Sequence, residues 1–472
     1  MIYFLLSIAA LIVGYIVYGA FVEKIFGVED KQTPANRIND GVDFVPMGWK
    51  RATLIQFLNI AGTGPIFGAI AGSQWGYWSY LWIVFGCIFA GAVHDYFSGM
   101  ISLRNDGASI SEIVGKYLGK TPLYIMRVFS IVLLLLVGVV FITSPAQIIQ
   151  NLIQEGNQTI YIVVLAIIII YYILATVMPI DAIIGKIYPL FGACLLFMAV
   201  GITIMLFVNG EIFALPSFSL ANVHPSGKMI FPFLFTTIAC GAISGFHATQ
   251  SPMIARCVQS EREGRRVFYG AMILEGIVAL IWATATMAHF GSPQGIADAG
   301  SAPVIVNTIS RDLLGAAGGI LAVLGVVACP ITSGDTAFRS ARLTIADAIK
   351  LDQKPIANRF YLALPLFAIG VVLCFVDFNI IWQYFAWSNQ TLATIALWAI
   401  SSYLVKHGKQ YLITFIPAIF MTLMVTAYIV IAPEGLKLPY NFGLIAGVIV
   451  AVLVAVLFQT KIVAKNKPAL TK

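Results

Sequence analysis

Apolar runs of about 20 residues, the length a helix needs to cross the hydrocarbon of a bilayer, recur along the whole chain between short polar segments. Thirteen such windows are present, at roughly 2–26, 52–74, 77–102, 124–148, 159–179, 186–208, 229–250, 267–289, 313–338, 359–376, 379–404, 411–431 and 441–461. They predict an all-α polytopic membrane protein of about 13 transmembrane helices. Two windows are interrupted where an ordinary span would stay apolar. Residues 59–70 (NIAGTGPIFGAI) place Gly62, Gly64 and Pro65 in the middle of one, and residues 240–245 (CGAISG) break another about 180 residues later. Glycine-broken spans at corresponding places in two halves of a membrane chain point to a transporter that binds its substrate near the bilayer midplane.

The order of windows predicts the domain organisation. Five begin at the first broken one (52–208) and five more at the second (229–404). An odd number of spans per repeat inverts the second repeat relative to the first, which predicts a five-plus-five inverted repeat with two broken helices. One extra helix (1–26) precedes this core and two (411–461) follow it, within a single transmembrane domain, 1–472. The first run lacks a basic n-region and a small-residue cleavage site and ends in Glu23 and Lys24, so it reads as a retained helix and not a signal peptide.

Composition agrees with this class: 60% of residues are hydrophobic and only 10% charged. Lys and Arg collect in cytoplasmic loops, and here they fall in every second loop. Lys31, Arg37, Lys50 and Arg51 lie in the first, Arg104, Lys116 and Lys120 in the third, Arg256, Arg262, Arg265 and Arg266 in the seventh. Arg339, Arg342, Lys350 and Lys354, then Lys406 and Lys409, then Lys461, Lys465, Lys467 and Lys472 continue the alternation, with Lys228, Arg311 and Lys437 as exceptions. This predicts an outside N-terminus and a cytoplasmic C-terminus. The net charge of +7 then reads as topology and contact with anionic lipid, so the lipid bilayer is the expected partner and nucleic acid is not. Six cysteines show no C-x-x-C pair and no Cys/His cluster, so no structural metal site is expected.

At the breaks, unwound backbone groups persist only where they line a cavity, and half-helix N-termini there favour an anionic group. The candidate substrate-binding residues are therefore Ala61, Gly62, Thr63, Gly64 and Pro65 at the first break, and Cys240, Gly241, Ala242, Ser244, Gly245 and His247 at the second. Close helix packing at small residues is the alternative reading of the same glycines.

Ionisable residues inside spans are costly, so each one is informative. His94, Asp95 and Glu275 are candidates for ion coupling. His94 and Asp95, as neighbours, point about 100° apart on a helix, which argues against a side-by-side dyad. They read either as a proton relay or as satisfied structural groups. Thr332, Ser333 and Asp335 would form, with carbonyls freed at the first break, an oxygen cage for a bound Na⁺ at Thr332 and Ser333. Alternatively, Asp335 pairs with Arg339 at i+4. No cofactor other than that ion is expected.

The strings NIAGTGPIFGAIAG, LWIVFGCIFAGAVHDYFSGMISLRNDGAS, CGAISGFHATQSPMIARC and TSGDTAFRSARL resemble the carbon-starvation protein A family of bacterial transporters, over about residues 1–400. The resemblance implies a LeuT-like fold of the amino-acid-polyamine-cation type, placement in a bacterial inner membrane and uptake of peptides or pyruvate. The chain departs from long members of that family, which carry further C-terminal spans. Together these features predict a secondary active transporter, not an enzyme, importing a small organic solute (a peptide or pyruvate-like carboxylate) coupled to H⁺ or Na⁺ by alternating access. A membrane-embedded nutrient sensor would need a signalling segment. An intramembrane metal-dependent enzyme would draw on His94, Asp95 and His247.

Overall fold

The computed structural model describes residues 1–41, 44–154, 156–176 and 180–466. The side chains of 180–191, 317, 318, 321–323, 328, 329 and 332 lie outside the described residues.

Helices account for all the regular structure among the described residues; the lone β contact is an isolated bridge between Met47 and Val258. Leaving aside short connecting helices such as Ile110–Leu118, they are, in chain order, α1 (Ile2–Phe26), α2 (Trp49–Ile60), α3 (Gly64–Trp75), α4 (Trp78–Arg104), α5 (Lys120–Ile153), α6 (Gln158–Ala175) and α7 (Ile180–Val208). There follow α8 (Phe233–Thr237), α9 (Gly245–Ala255), α10 (Glu261–Phe290), α11 (Ala302–Ile349), α12 (Ile356–Leu373), α13 (Phe378–Lys406), α14 (Leu412–Ile431) and α15 (Tyr440–Asn466). Among the described residues, eight helices are individually long and apolar enough to cross a membrane, or nine if α2 and α3 count as one bent span. Their outward faces carry residues such as Val17, Ile167, Val372 and Phe442, exposed to 61–68%. Water would not tolerate so continuous an apolar exterior, and lipid requires it. The chain is a multi-pass membrane protein.

Burial sorts the helices into centre and periphery. The apolar stretches of α4 and α10 are 83% buried, those of α1 and α15 only 22%. The broken elements α2–α3 and α8–α9 pack against α4 and α10 in the middle, while α5 and α11 lie side by side along one flank. α11 is itself kinked at Gly315, whose φ of 66° only glycine adopts freely.

Both interruptions are present as backbone breaks. The first is short: α2 ends at Ile60, Ala61–Thr63 are unwound, and α3 resumes at a bend of 51°. Pro65 falls in the first turn of α3, where its missing N–H costs nothing. The second is longer than the glycines alone suggest, because residues 238–244 are non-helical between α8 and α9. Gly241 has φ +86° there.

The packing reading of the glycines is realised alongside the breaks. A Cβ on Gly64 would lie 2.5 Å from Cys240 Sγ, one on Gly68 would lie 3.1 Å from the Thr237 carbonyl, and Gly72 lies against Ile238. Residues one helical turn apart share a face, so α3 presents a glycine stripe to the second break and the two broken elements touch.

On the side where α4 ends and α10 begins, Glu261 ties the frame together. It accepts from Arg104 Nε (2.8 Å) and Nη2 (2.7 Å) and from the backbone N–H of Glu29 (2.8 Å). Charge-assisted bidentate contacts are among the stronger polar links, and this one fixes α4 against α10, the two helices that carry the buried carboxylates.

Candidate functional site

The polar centre of the molecule assembles from α4, α9 and α10. Asp95 of α4 has both oxygens engaged: Oδ1 lies 2.8 Å from His94 Nδ1 and Oδ2 2.8 Å from His247 Nδ1. His247 sits in the first turn of α9, and its other nitrogen, Nε2, lies 3.4 Å from Glu275 Oε2 of α10. All four side chains have no solvent exposure. The result is a continuous chain, His94–Asp95–His247–Glu275, with two carboxylates and two imidazoles in a dry interior.

The 100° divergence of neighbouring His94 and Asp95 argued against a side-by-side dyad, yet the two side chains are in contact. Their Cβ vectors do diverge, but the imidazole is long enough to swing its Nδ1 back onto the adjacent carboxylate. His247 is the residue that joins the second break to the ionisable pair on α4. Spacing along the sequence could not show this, since 152 positions separate His247 from Asp95.

Such a cluster carries charge that must be compensated, because burying a lone ion is prohibitive. With Asp95 ionised and accepting from both Nδ1–H groups, one further proton remains to be placed between His247 Nε2 and Glu275. Nε2 and Glu275 Oε2 face each other at 3.4 Å, longer than a full hydrogen bond. His247 Nε2 and Glu275 are therefore the two facing groups between which that proton would be shared.

Asn389 of α13 organises the second break, and sequence reasoning passed over it. Its Oδ1 accepts from the Phe246 N–H (2.7 Å) while its side chain bonds Ser244 Oγ, with Nδ2 3.0 Å away and 3.5 Å from Cys240 Sγ. Gly245 lies directly against the Asn389 carbonyl, closer than any side chain would permit. The start of α9 is thus capped from within the protein at the Phe246 amide. The polar run Ser388, Asn389, Gln390 inside a 29-residue helix was the available signal.

At the first break, Gly62 packs on the Phe141 ring and Thr63 Oγ1 is buried with no partner. Asn59 Oδ1, one turn earlier, is likewise buried and unpartnered. Ala61, Pro65, Cys240, Ala242 and Ser244 are all buried at the contact between the two breaks. Ala242 closes onto α4, where its carbonyl lies against Gly91.

In the third group of candidates, the two described side chains, Ser333 and Asp335, face different partners. Ser333 Oγ lies 3.5 Å from the Leu58 carbonyl, beside the first break. Asp335 instead faces Arg339 at 3.6 Å, the i+4 pairing, beside Thr176 and Arg342. The side chain of Thr332 lies outside the described residues.

Two cavities flank this centre. One, of about 430 Å³, reaches inward to Asn59 and Thr249 and is lined by Arg51, Arg127, Arg256 and Arg339 against Glu112 and Asp347. The other, of about 420 Å³, is walled by Gln147, Gln150, Asn151, Ser301, Asp377 and Asn379. The basic loops border the first, and uncharged amides dominate the second.

Comparison with known proteins agrees with this architecture. A family model described as carbon starvation protein CstA matches residues 1–167, 145–290 and 283–428. An uncharacterized membrane protein of Haemophilus influenzae is 46% identical over 64% of this chain and 95% of its own. The peptide transporter CstA of Campylobacter jejuni is 26% identical over 89% of this chain and 78% of its own. The pyruvate/proton symporter BtsT of Escherichia coli is 28% identical over 58% of this chain and 47% of its own. Among solved structures, MhsT in complex with L-phenylalanine superposes with a TM-score of 0.56 at 14% identity, covering 86% of this chain and 98% of that one. The fold is therefore that of LeuT-type transporters.

Proposed function

The chain belongs to the carbon starvation protein CstA family, and on that premise we propose that it is a proton-coupled importer of a small solute bearing a carboxylate, a peptide or a pyruvate-like acid. The observation that carries the coupling is the buried chain Asp95–His247–Glu275, because it links helix α4, the second break and α10 through one exchangeable proton. In this reading the proton sits at the His247–Glu275 junction, and its arrival or departure changes how α9 is held against α4 and α10. His94 positions Asp95 from the far side.

The solute binds where the breaks meet. Asn59 and Thr63 supply buried polar oxygens that lack protein partners, and the non-helical backbone around Ala61, Gly62, Gly64, Gly241 and Ala242 supplies further groups once the breaks part. Pro65, Cys240, Ser244 and Gly245 shape that space. The cavity leading there carries four arginines against two acids, which favours a carboxylate, a group common to peptides and pyruvate.

The basic loops bordering this cavity support an orientation in which it opens to the cytoplasm, with the N-terminus outside and the C-terminus inside, in a bacterial inner membrane. The repeats run 52–208 and 229–404, with thirteen spans in all.

Sodium coupling is the second reading, favoured by Ser333 Oγ at 3.5 Å from the Leu58 carbonyl beside the break. Uptake of labelled pyruvate and of a labelled dipeptide into proteoliposomes, under separate proton and sodium gradients, decides between them. Accumulation driven by neither gradient would overturn both.

A further inference from the structure

Cys240 Sγ, a ring nitrogen of His247 and a carboxylate oxygen of Glu275 lie within 4.8 Å of one another, and all three side chains are buried. Asp95 occupies Nδ1 of His247, so Nε2 is the nitrogen turned toward the group. That nitrogen lies 3.4 Å from Glu275 Oε2, a contact longer than a full hydrogen bond. Three donors of different chemistry thus converge on one point in the second break.

We propose that Cys240, His247 and Glu275 form a binding site for a single divalent cation of the Zn²⁺ class. A thiolate, an imidazole and a carboxylate are the ligand types Zn²⁺ prefers, and three protein ligands leave a fourth position open. The thiolate argues against Mg²⁺ and Na⁺, which favour oxygen. The surroundings are built as metal sites are. The carboxylate of Asp95 on His247 Nδ1, at 2.8 Å, fixes the tautomer and ring orientation that direct Nε2 to a metal. Asn389 Nδ2 lies 3.5 Å from the sulfur and donates to it.

Tetrahedral donors around Zn²⁺ sit roughly 3.3–3.8 Å apart, given the usual metal–ligand distances of about 2.0–2.3 Å. The group must therefore close by about 1 Å. Cys240 lies on the non-helical stretch 238–244, where the backbone can supply that movement. Once bound, the cation ties the break to α9 and α10, so it competes with the proton at His247 and Glu275 and arrests the break.

The site is tested on the purified full-length protein in detergent, without transport, so its failure is distinct from failure of the proton reading. Titration with Co²⁺, as a spectroscopic stand-in for Zn²⁺, is expected to show one equivalent bound with a thiolate-to-cobalt charge-transfer band and the d–d bands of tetrahedral coordination. One equivalent of Zn²⁺ displaces it. Cys240→Ser abolishes the charge-transfer band, Glu275→Gln weakens binding at least about tenfold, and Asp95→Asn weakens it by about 10–100-fold. Cys194→Ser leaves the spectrum unchanged. Absence of stoichiometric Co²⁺ binding by the unmodified protein, or a charge-transfer band that survives Cys240→Ser, overturns the proposal.

Discussion

His247 Nδ1 lies 2.8 Å from Asp95 Oδ2, and that contact fastens the half-helix after the second break to the buried acid of α4. Because His247 also reaches toward Glu275, any motion of α9 must break, stretch or re-protonate a polar link in a medium where unpaired charges are costly. On the proposed reading, conformation and proton occupancy are coupled for that reason.

The cap supplied by Asn389 predicts a specific pattern. Asn389→Ala leaves the Phe246 N–H buried without an acceptor, a loss of about 1–3 kcal/mol. Asn389→Asp keeps the acceptor oxygen. Thermal unfolding in detergent should show the alanine variant clearly less stable than the aspartate variant; equal stability would mean that Asn389 Oδ1 does not cap α9.

Contact between the two breaks predicts a rescue. A Cβ at Gly64 would sit 2.5 Å from Cys240 Sγ and 2.7 Å from its Cβ. Gly64→Ala should therefore cost about 1–3 kcal/mol by overpacking and reduce uptake. Adding Cys240→Gly removes both clashing atoms and should restore stability in part. A larger residue such as leucine would be a poor probe here, since it would disrupt the core as well as the break.

His224 lies in the loop between α7 and α8, its ring 4.2 Å from that of Trp75, and Ser226 N donates to its Nδ1. Burial, helped by the nearby Lys228, pulls its pKa down from 6.5 to about 4. The unfolded loop takes up a proton as pH falls through 6.5, whereas the docked loop resists until about 4. Docking is thus fully stable above 6.5 and loses stability as pH drops toward 4. The unmodified protein should lose melting temperature over that window more steeply than His224→Gln; parallel curves would refute this.

The loop charges predict sidedness. A single cysteine introduced at Ser301 should react with an impermeant thiol reagent added outside intact cells. Labelling only after the cytoplasmic face is exposed would invert the topology proposed above.

How much of this could be read from the chain divides along physical lines. Gly62, Gly64, Pro65 and Gly241 announce the breaks because their backbone preferences are local and conspicuous in an apolar run. Asp95, His247 and Glu275 are conspicuous for a related reason, as ionisable residues inside spans. What the sequence concealed is contact. Asn389 and Phe246 are 143 positions apart, and only the packing of α13 on the second break joins them. For Asp335 the sequence left two readings, an oxygen cage or the i+4 pair, and the contact with Arg339 along its own helix is the one present. The meeting of Cys240, His247 and Glu275 likewise follows from the fold of a non-helical stretch, which no residue spacing encodes.

The most direct measurement compares gradient-driven accumulation with exchange in proteoliposomes carrying the unmodified protein or Glu275→Gln. With an inward proton gradient and no sodium, the unmodified protein should accumulate labelled pyruvate or dipeptide against its own gradient. Glu275→Gln should lose that accumulation by at least about tenfold, the equivalent of roughly 1.4 kcal/mol, while still exchanging external for internal solute. Full proton-driven accumulation by Glu275→Gln, or accumulation by the unmodified protein that follows sodium and ignores the proton gradient, would contradict the account.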